Sequence, residues 1–124
     1  MWRVAIYARE TAGQRRLERQ IGGLAAKMCR QPSWRHVATY ADLSTGDSQP
    51  GLARLLADAP GCFDVVVVDS YARLAASDHQ LASVLDQLRW AGVGVVVLGP
   101  STRHRFAKAV ANLALADLIG SALG

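Results

Sequence analysis

Apolar residues fall into two kinds of segment that alternate from the N-terminus onwards. Residues 2–8 are rich in strand-forming side chains. In the next segment the apolar residues are spaced three or four positions apart, at Leu17, Ile21, Leu24 and Met28. A break at residues 31–33 then leads into an alternating segment at residues 34–40. This order predicts a strand, a helix and a second strand.

The middle of the chain repeats the order of helix and strand. Ser48 is the predicted N-cap of a helix that begins at Pro50 and ends at Pro60 and Gly61. The β-branched run Val65–Val68 then predicts a strand that is buried on both faces.

The last third of the chain adds a further strand between two helices. Ser77 is the predicted N-cap of a helix that ends at Gly92, and residues 93–98 form another apolar run. We therefore expect residues 1–124 to form a single α/β domain, with a mostly parallel central sheet of about four strands and helices on both faces. Functional side chains are expected where the strands end, just after Ala8, Tyr40, Val68 and Leu98.

The predicted last helix, residues 106–123, has two apolar stripes instead of one. The first contains Phe106, Val110 and Leu113, and the second contains Leu115, Leu118, Ile119 and Ala122. One stripe can pack on the sheet, but a small domain cannot easily bury both. The helix is therefore predicted to be the interface of a homo-oligomer.

Composition narrows the classes of protein that are possible. The chain has 124 residues, of which 51% are hydrophobic, so it can bury a core. Its apolar runs are far shorter than the ~20 residues of a membrane span, and the residues after Met1 do not resemble a signal peptide, so we expect neither membrane insertion nor secretion. Cys29 and Cys62 stand alone, as in reduced cytoplasmic proteins, and they indicate neither a disulfide framework nor a metal site. No cofactor is predicted, and the net charge of +4 is a mild indication of a nucleic-acid partner.

Five short segments resemble the catalytic domain of serine recombinases, the resolvase and invertase family. Residues 7–11 with Gln14, followed by Leu17 and Gln20, resemble the family pattern Y-x-R-V-S-T-x-x-Q and then L-x-x-Q. The other segments follow in the family's order, at residues 38–42, 49–56, 63–68 and 73–74. The resemblance covers residues 3 to 98 well and the last helix loosely, and it implies the resolvase fold.

The resemblance also implies a reaction and its residues. In the family a serine hydroxyl attacks a DNA phosphodiester, forms a phosphoserine link and later reverses it, while arginines neutralise the charge that builds on the phosphate. No metal is required if the arginine cluster is complete. Thr11 matches the position of the nucleophile, and Arg9 and Arg73 match two of the phosphate-binding arginines.

The remaining positions of the family pattern are substituted. Thr11 is a secondary alcohol with a crowding methyl group, and Glu10 stands where a small apolar residue is usual. Ala72 and Ala76 replace the Asp and the second Arg of the D-R-L-x-R motif, and Gln49 replaces a further arginine. We therefore expect a catalytically inactive domain that acts as a dimeric binding or regulatory module. Its expected partners are DNA or a full-length recombinase.

A second hypothesis is an active but divergent DNA recombinase that uses Thr11 as the nucleophile with Arg9 and Arg73. A third is a phosphate-accepting receiver domain, because Asp69 follows the third predicted strand. The receiver hypothesis is weak, since such a site also needs an acidic pair after the first strand, where Ala8 and Arg9 stand. The chain ends at Gly124, so we expect no C-terminal DNA-binding domain.

Structural interpretations compete with these functional ones. Arg9 and Arg73 either form a phosphate site or pair with Asp42 or Asp69. Thr11 can be a cap on the approach to the first helix. Basic residues on that helix form either a solvated face or a DNA-facing patch, and they are Arg15, Arg16 and Arg19. The three tryptophans, Trp2, Trp34 and Trp90, are predicted to pack in the core.

Overall fold

The computed structural model describes residues 1–43, 48–75 and 77–98. Strands and helices alternate along this part of the chain. The elements are β1 (Trp2–Glu10), α1 (Gln14–Met28), β2 (Trp34–Leu43), α2 (Pro50–Cys62), β3 (Val65–Val68), α3 (Tyr71–Leu74), α4 (Asp78–Trp90) and β4 (Gly94–Val97). The predicted helix at residues 106–123, with its predicted interface, lies outside the described residues. None of the helices in the described ranges is long and apolar enough to cross a membrane.

The four strands form one sheet in the order β2-β1-β3-β4, and every neighbouring pair is parallel. This arrangement confirms the predicted fold class. The strands β1 and β3 are central, and Val65–Val68 is buried along its whole length, as its β-branched run predicts. Because all strands run the same way, their carboxyl ends lie at one edge of the sheet, which we call the carboxyl edge.

Two apolar layers cover the sheet. On one face, α2, α3 and α4 pack over a cluster that includes Tyr7, Leu55, Leu74 and Leu88. On the other face, α1 packs over a smaller cluster. That smaller cluster contains Val4, Ile6, Leu24, Met28, Val65, Val67 and Val96. Helices therefore flank both faces of the sheet, as the alternation of segments predicts.

Two of the predicted helix boundaries are confirmed. The hydroxyl of Ser77 accepts a hydrogen bond from Gln80 N at 3.2 Å and so caps α4. Gly92 follows α4 with φ +78°, a left-handed conformation that glycine adopts without strain. The predicted cap of α2 is wrong, because Gln49 and not Ser48 is the N-cap residue.

The tryptophans differ from one another in their environment. Trp2 and Trp34 are half-buried and pack against the cluster under α1, as predicted. Trp90 does not pack in the core, since it is 90% exposed at the end of α4. The prediction was wrong for Trp90 because residue type alone does not indicate which face of a helix is buried.

Candidate functional site

The end of β1 holds Arg9 at the carboxyl edge. Arg9 is 8% exposed. Its backbone N–H donates to Gln20 Oε1 at 3.0 Å, and Gln20 Nε2 donates back to the carbonyl of Arg9 at 3.0 Å. The side chain of Gln20, on α1, therefore fixes the backbone of β1 where the strand ends.

Arg73 reaches the same place from α3. Its Nη1 donates to the carbonyl of Arg9 at 3.0 Å, although the two residues lie on elements far apart in sequence. Nη1 also lies 3.5 Å from Glu10 Oε2, and Nη2 lies 3.6 Å from Asp69 Oδ2. The structure thus brings Arg9 and Arg73 together, and it places two carboxylates against Arg73.

Thr11 lies beside this arginine pair on the loop between β1 and α1. It is exposed, and its backbone N–H donates to Glu10 Oε1 at 3.1 Å, as the N–H of Ala12 does at 3.3 Å. Thr11 is not the cap of α1, because Gly13 is the N-cap residue, with φ +125°. The interpretation of Thr11 as a helix cap was therefore wrong, since the chain makes one further turn, at a glycine, before the helix begins.

Glu10 connects these groups through both of its carboxylate oxygens. One oxygen accepts from two backbone N–H groups, and the other faces Arg73. Burial alone would raise the pKa of Glu10, but the hydrogen bonds from the Ala12 and Thr11 amides and the charges of Arg73 and Arg16 outweigh it and lower the pKa. Glu10 is therefore ionised at neutral pH.

Charges of both signs lie close together at this site. Arg9 and Arg73 contribute two positive charges, and Glu10 and Asp69 contribute two negative ones. Arg73 Nε is buried and has no hydrogen-bond partner among the described residues. An additional acceptor at this place, such as a phosphate oxygen, would have to compete with the carboxylates for the Nη atoms.

The end of β2 is built differently. Asp42 is 4% exposed and accepts three hydrogen bonds. The donors are Gly51 N at 2.7 Å, Leu52 N at 3.0 Å and the hydroxyl of Tyr7 at 2.7 Å. Gly51 comes so close to β2 that a Cβ there would lie 2.4 Å from the carbonyl oxygen of Ala41. Asp42 therefore caps α2 from a neighbouring strand, which explains why Ser48 does not.

Gln49 links the same region to α3. Its Nε2 lies within hydrogen-bond distance of the Tyr7 hydroxyl at 2.9 Å, the carbonyl of Leu74 at 3.2 Å and that of Arg73 at 3.4 Å. The amide holds the backbone from which the Arg73 side chain extends. The side chain at this position is thus engaged within the fold.

The family model for the resolvase N-terminal domain matches residues 4–117. The chain belongs to this family. No curated protein matches it.

Solved structures agree with the assignment. The C-terminal catalytic domain of ISC1926 TnpA, an IS607-like serine recombinase, is 25% identical with a TM-score of 0.70, over 96% of this chain and 81% of that one. The N-terminal catalytic domain of TP901-1 integrase is 23% identical with a TM-score of 0.71, over 98% of each chain. A resolvase family site-specific recombinase from Streptococcus pneumoniae is 17% identical with a TM-score of 0.66, over 99% of this chain and 92% of that one. The chain therefore has a serine-recombinase-like fold.

The structure describes one of the two alanines that replace charged residues of the D-R-L-x-R motif. Ala72 is exposed on α3 and offers no polar group, and Ala76 lies outside the described residues. Asp69 pairs with Arg73, so it does not stand in the acidic pocket that the receiver hypothesis requires. Among the described residues, no group of His, Cys, Asp and Glu side chains could hold a metal ion.

Sequence reasoning missed the part that Glu10 plays. The pattern marks Glu10 as an unfavourable neighbour of phosphate, but not as the partner of Arg73. The sequence does contain a signal for this pairing, namely an acidic residue beside a predicted arginine site at a strand end. Such a residue can pair with any arginine that reaches the same edge of the sheet. Pairing of Arg73 with Asp69, by contrast, was one of the two structural interpretations, and the structure has this contact.

Proposed function

We propose that this resolvase-family domain has lost the chemistry of DNA strand exchange and acts as a dimeric binding or regulatory module in DNA recombination. The observation that carries the proposal is the pairing of Arg73 with Glu10, at 3.5 Å between Nη1 and Oε2. The Glu10 carboxylate is thus paired with the Arg73 guanidinium, which the family resemblance assigns to phosphate binding.

Strand transfer needs an uncompensated positive site. A phosphodiester gains charge on its non-bridging oxygens as the attacking hydroxyl adds, and arginines stabilise that charge. Here the guanidinium of Arg73 is paired with both Glu10 and Asp69. Because the pKa of Glu10 is lowered, protonation at neutral pH does not release Arg73. Incoming phosphate would therefore have to displace a carboxylate from Arg73.

The substituted positions add to this deficit. Gln49 directs its amide at Tyr7 and at the carbonyls of α3, so it supports the backbone and not a phosphate. Ala72 carries no group that could move a proton or position the nucleophile. Removal of one preorganised donor costs ~10²–10³ in rate, and several such losses here act in the same direction.

A covalent-adduct assay tests the loss of activity. The purified full chain is incubated with supercoiled DNA, denatured and analysed for protein linked to a 5′-phosphate. We expect no adduct from the wild type, from Thr11→Ala or from Thr11→Ser. An adduct that the wild type forms and Thr11→Ala does not would overturn the proposal in favour of the divergent recombinase, with Thr11 as its nucleophile.

Dimer formation is proposed to depend on the predicted helix at residues 106–123, whose two apolar stripes need two partners. Sedimentation equilibrium of the wild type is compared with two double variants, Leu115→Glu with Ile119→Glu and Val110→Glu with Leu113→Glu. We expect one pair to give a folded monomer and the other to lower the stability of the fold. A wild type that is monomeric at all concentrations would contradict this part of the proposal.

A further inference from the structure

Trp90, the last residue of α4, exposes a large apolar side chain that the fold does not use. It is 90% exposed, more than any other exposed large hydrophobic residue in the described ranges. An aromatic side chain buries about 150–250 Å² when it is covered, so an indole in water gives up a large hydrophobic contribution. Trp90 therefore marks the end of α4 as a candidate contact surface.

A groove lies beside Trp90, between α2 and α4. A cavity of about 690 Å³ is lined by Leu56 and Pro60 on α2 and by side chains of α4 that include His79 and Ser83. A second cavity of about 360 Å³ shares Leu56, His79 and Ser83 with the first, so the groove continues towards the start of α4. We call this feature the α2–α4 groove. Its volume is sufficient for an indole ring.

Helix geometry gives a register in which two copies fit together. In an antiparallel pair of α4 helices with a twofold axis between residues 85 and 86, Trp90 of one copy lies opposite residue 81 of the other. On the exposed face of α4, that level falls between His79 and Ser83, which line the α2–α4 groove. Each indole can therefore enter the groove of the other copy.

The charges on α4 suit the same register. Asp78, Asp86 and Arg89 are all exposed, and the ion pairs among the described residues are those of Arg3 and Arg73, which include none of them. In the antiparallel pair, Arg89 lies opposite residue 82. Asp78 and Asp86 each stand about 6 Å along the axis from that level, within reach of a guanidinium side chain.

We infer that the α2–α4 groove is an interface with a second copy of this chain, in which each Trp90 enters the groove of the other copy. A twofold contact uses the same patch on both copies, and here the groove, the indole and charges of both signs share one face. The contact is separate from the predicted interface at residues 106–123, so a chain that uses both assembles beyond a dimer. Because α4 is only about 20 Å long, the interface is small, and we expect association at micromolar concentrations.

Sedimentation equilibrium of the full chain over a concentration series tests the part played by Trp90. We expect Trp90→Ala to raise the dissociation constant at least about thirtyfold, as truncation of a central interface tryptophan does. Leu43→Ala is the matched control, because Leu43 is 47% exposed at the end of β2, away from α4. The control should associate like the wild type.

Charge reversal tests whether the partner is a second copy. Arg89→Asp alone places like charges opposite each other on both sides of the axis, and Asp86→Arg alone does the same with the opposite sign. Each variant should associate about tenfold more weakly than the wild type at low salt. A mixture of the two variants restores opposite charges at both places, so we expect the mixture to associate as tightly as the wild type.

Two results would overturn the inference, namely an unchanged association of Trp90→Ala and a mixture that associates no better than its components. Capture of a different protein by Trp90, without self-association, would overturn it as well. The predicted interface at residues 106–123 is tested separately. If that interface is absent, the wild type dimerises and Trp90→Ala is monomeric, whereas a dimer that Trp90→Ala leaves unchanged contradicts only the α2–α4 contact. Circular dichroism during thermal unfolding verifies that all variants are folded.

Discussion

Asp42 and Glu10 are two carboxylates at the ends of neighbouring strands, and they serve different purposes. Asp42 is 4% exposed and accepts from two backbone amides of α2 and from the hydroxyl of Tyr7. Glu10 accepts from two amides of an exposed loop and faces a half-exposed arginine at 3.5 Å. The first joins buried elements of the fold, whereas the second links an exposed loop to Arg73.

The difference indicates which part of the family pattern is tied to folding. Removal of Asp42 would leave buried donors without acceptors, so the fold itself depends on this residue. Glu10 has only exposed donors and one cation as partners, all of which water can replace. A resolvase-like chain can therefore change its chemistry at the end of β1 while the end of β2 keeps the architecture intact.

Matched amide substitutions test this contrast most strongly. All three partners of Asp42 are donors, and asparagine offers one acceptor oxygen and an NH₂ group that would face a donor. We expect Asp42→Asn to lower the free energy of unfolding by on the order of 2–4 kcal/mol. Glu10→Gln keeps the acceptor for the loop amides, and we expect a loss of about 0–1 kcal/mol. Urea unfolding measures both.

Equal losses in the free energy of unfolding for these two variants would contradict the contrast between Asp42 and Glu10. If Glu10→Gln were as costly as Asp42→Asn, the contact with Arg73 would be part of the folding core. The contact between Glu10 and Arg73 would then be a structural ion pair, and not the modification of a phosphate site. With an additional Arg73→Gln variant, a double-mutant cycle would measure the interaction energy between Glu10 and Arg73.

A second pair of variants compares a glycine beside the end of β2 with a glycine on the exposed side of α1. At Gly51 a Cβ would lie 2.4 Å from a backbone oxygen of Ala41, which cannot move away without displacing β2. We expect Gly51→Ala to destabilise the protein by about 1–3 kcal/mol. At Gly23, on exposed α1, nothing lies within 4 Å of the new Cβ, and Gly23→Ala should stabilise by about 0.5–1 kcal/mol. Thermal unfolding of the two variants should shift in opposite directions.

Local patterns were sufficient to predict the order of the four strands and of α1, α2 and α4, but not the short helix α3. Val65–Val68 is a buried strand because four consecutive β-branched residues favour an extended backbone that is covered on both faces. The caps Ser77 and Gly92 act on residues next to them in sequence, so their effect is visible in the sequence itself. The same reasoning predicts functional side chains at the carboxyl edge, and the structure has Arg9 at this edge.

Long-range contacts could not be predicted in the same way. The bond between Arg73 and the carbonyl of Arg9 joins residues 64 positions apart, and it exists because β1 and β3 are neighbours in the sheet. Capping of α2 by Asp42 likewise depends on how closely Gly51 approaches β2. Such distances follow from strand order and register, which hydrophobic spacing does not specify.

The smallest expected effect concerns Tyr40, whose hydroxyl donates to Asp58 Oδ2 at 2.7 Å and so ties β2 to α2 a second time. Burial, and then this bond to Asp58, raises the pKa of Tyr40 to about 12 from its ordinary value of 10.0. A raised folded-state pKa means that the neutral phenol stabilises the fold fully below pH 10, and that this contribution is lost as pH rises towards about 12. We expect Tyr40→Phe to cost about 1 kcal/mol at neutral pH, and the gap from the wild type to close across that alkaline range. Urea unfolding at a series of pH values measures the gap, and the absence of a gap at neutral pH would show that the bond from Tyr40 to Asp58 does not stabilise the fold.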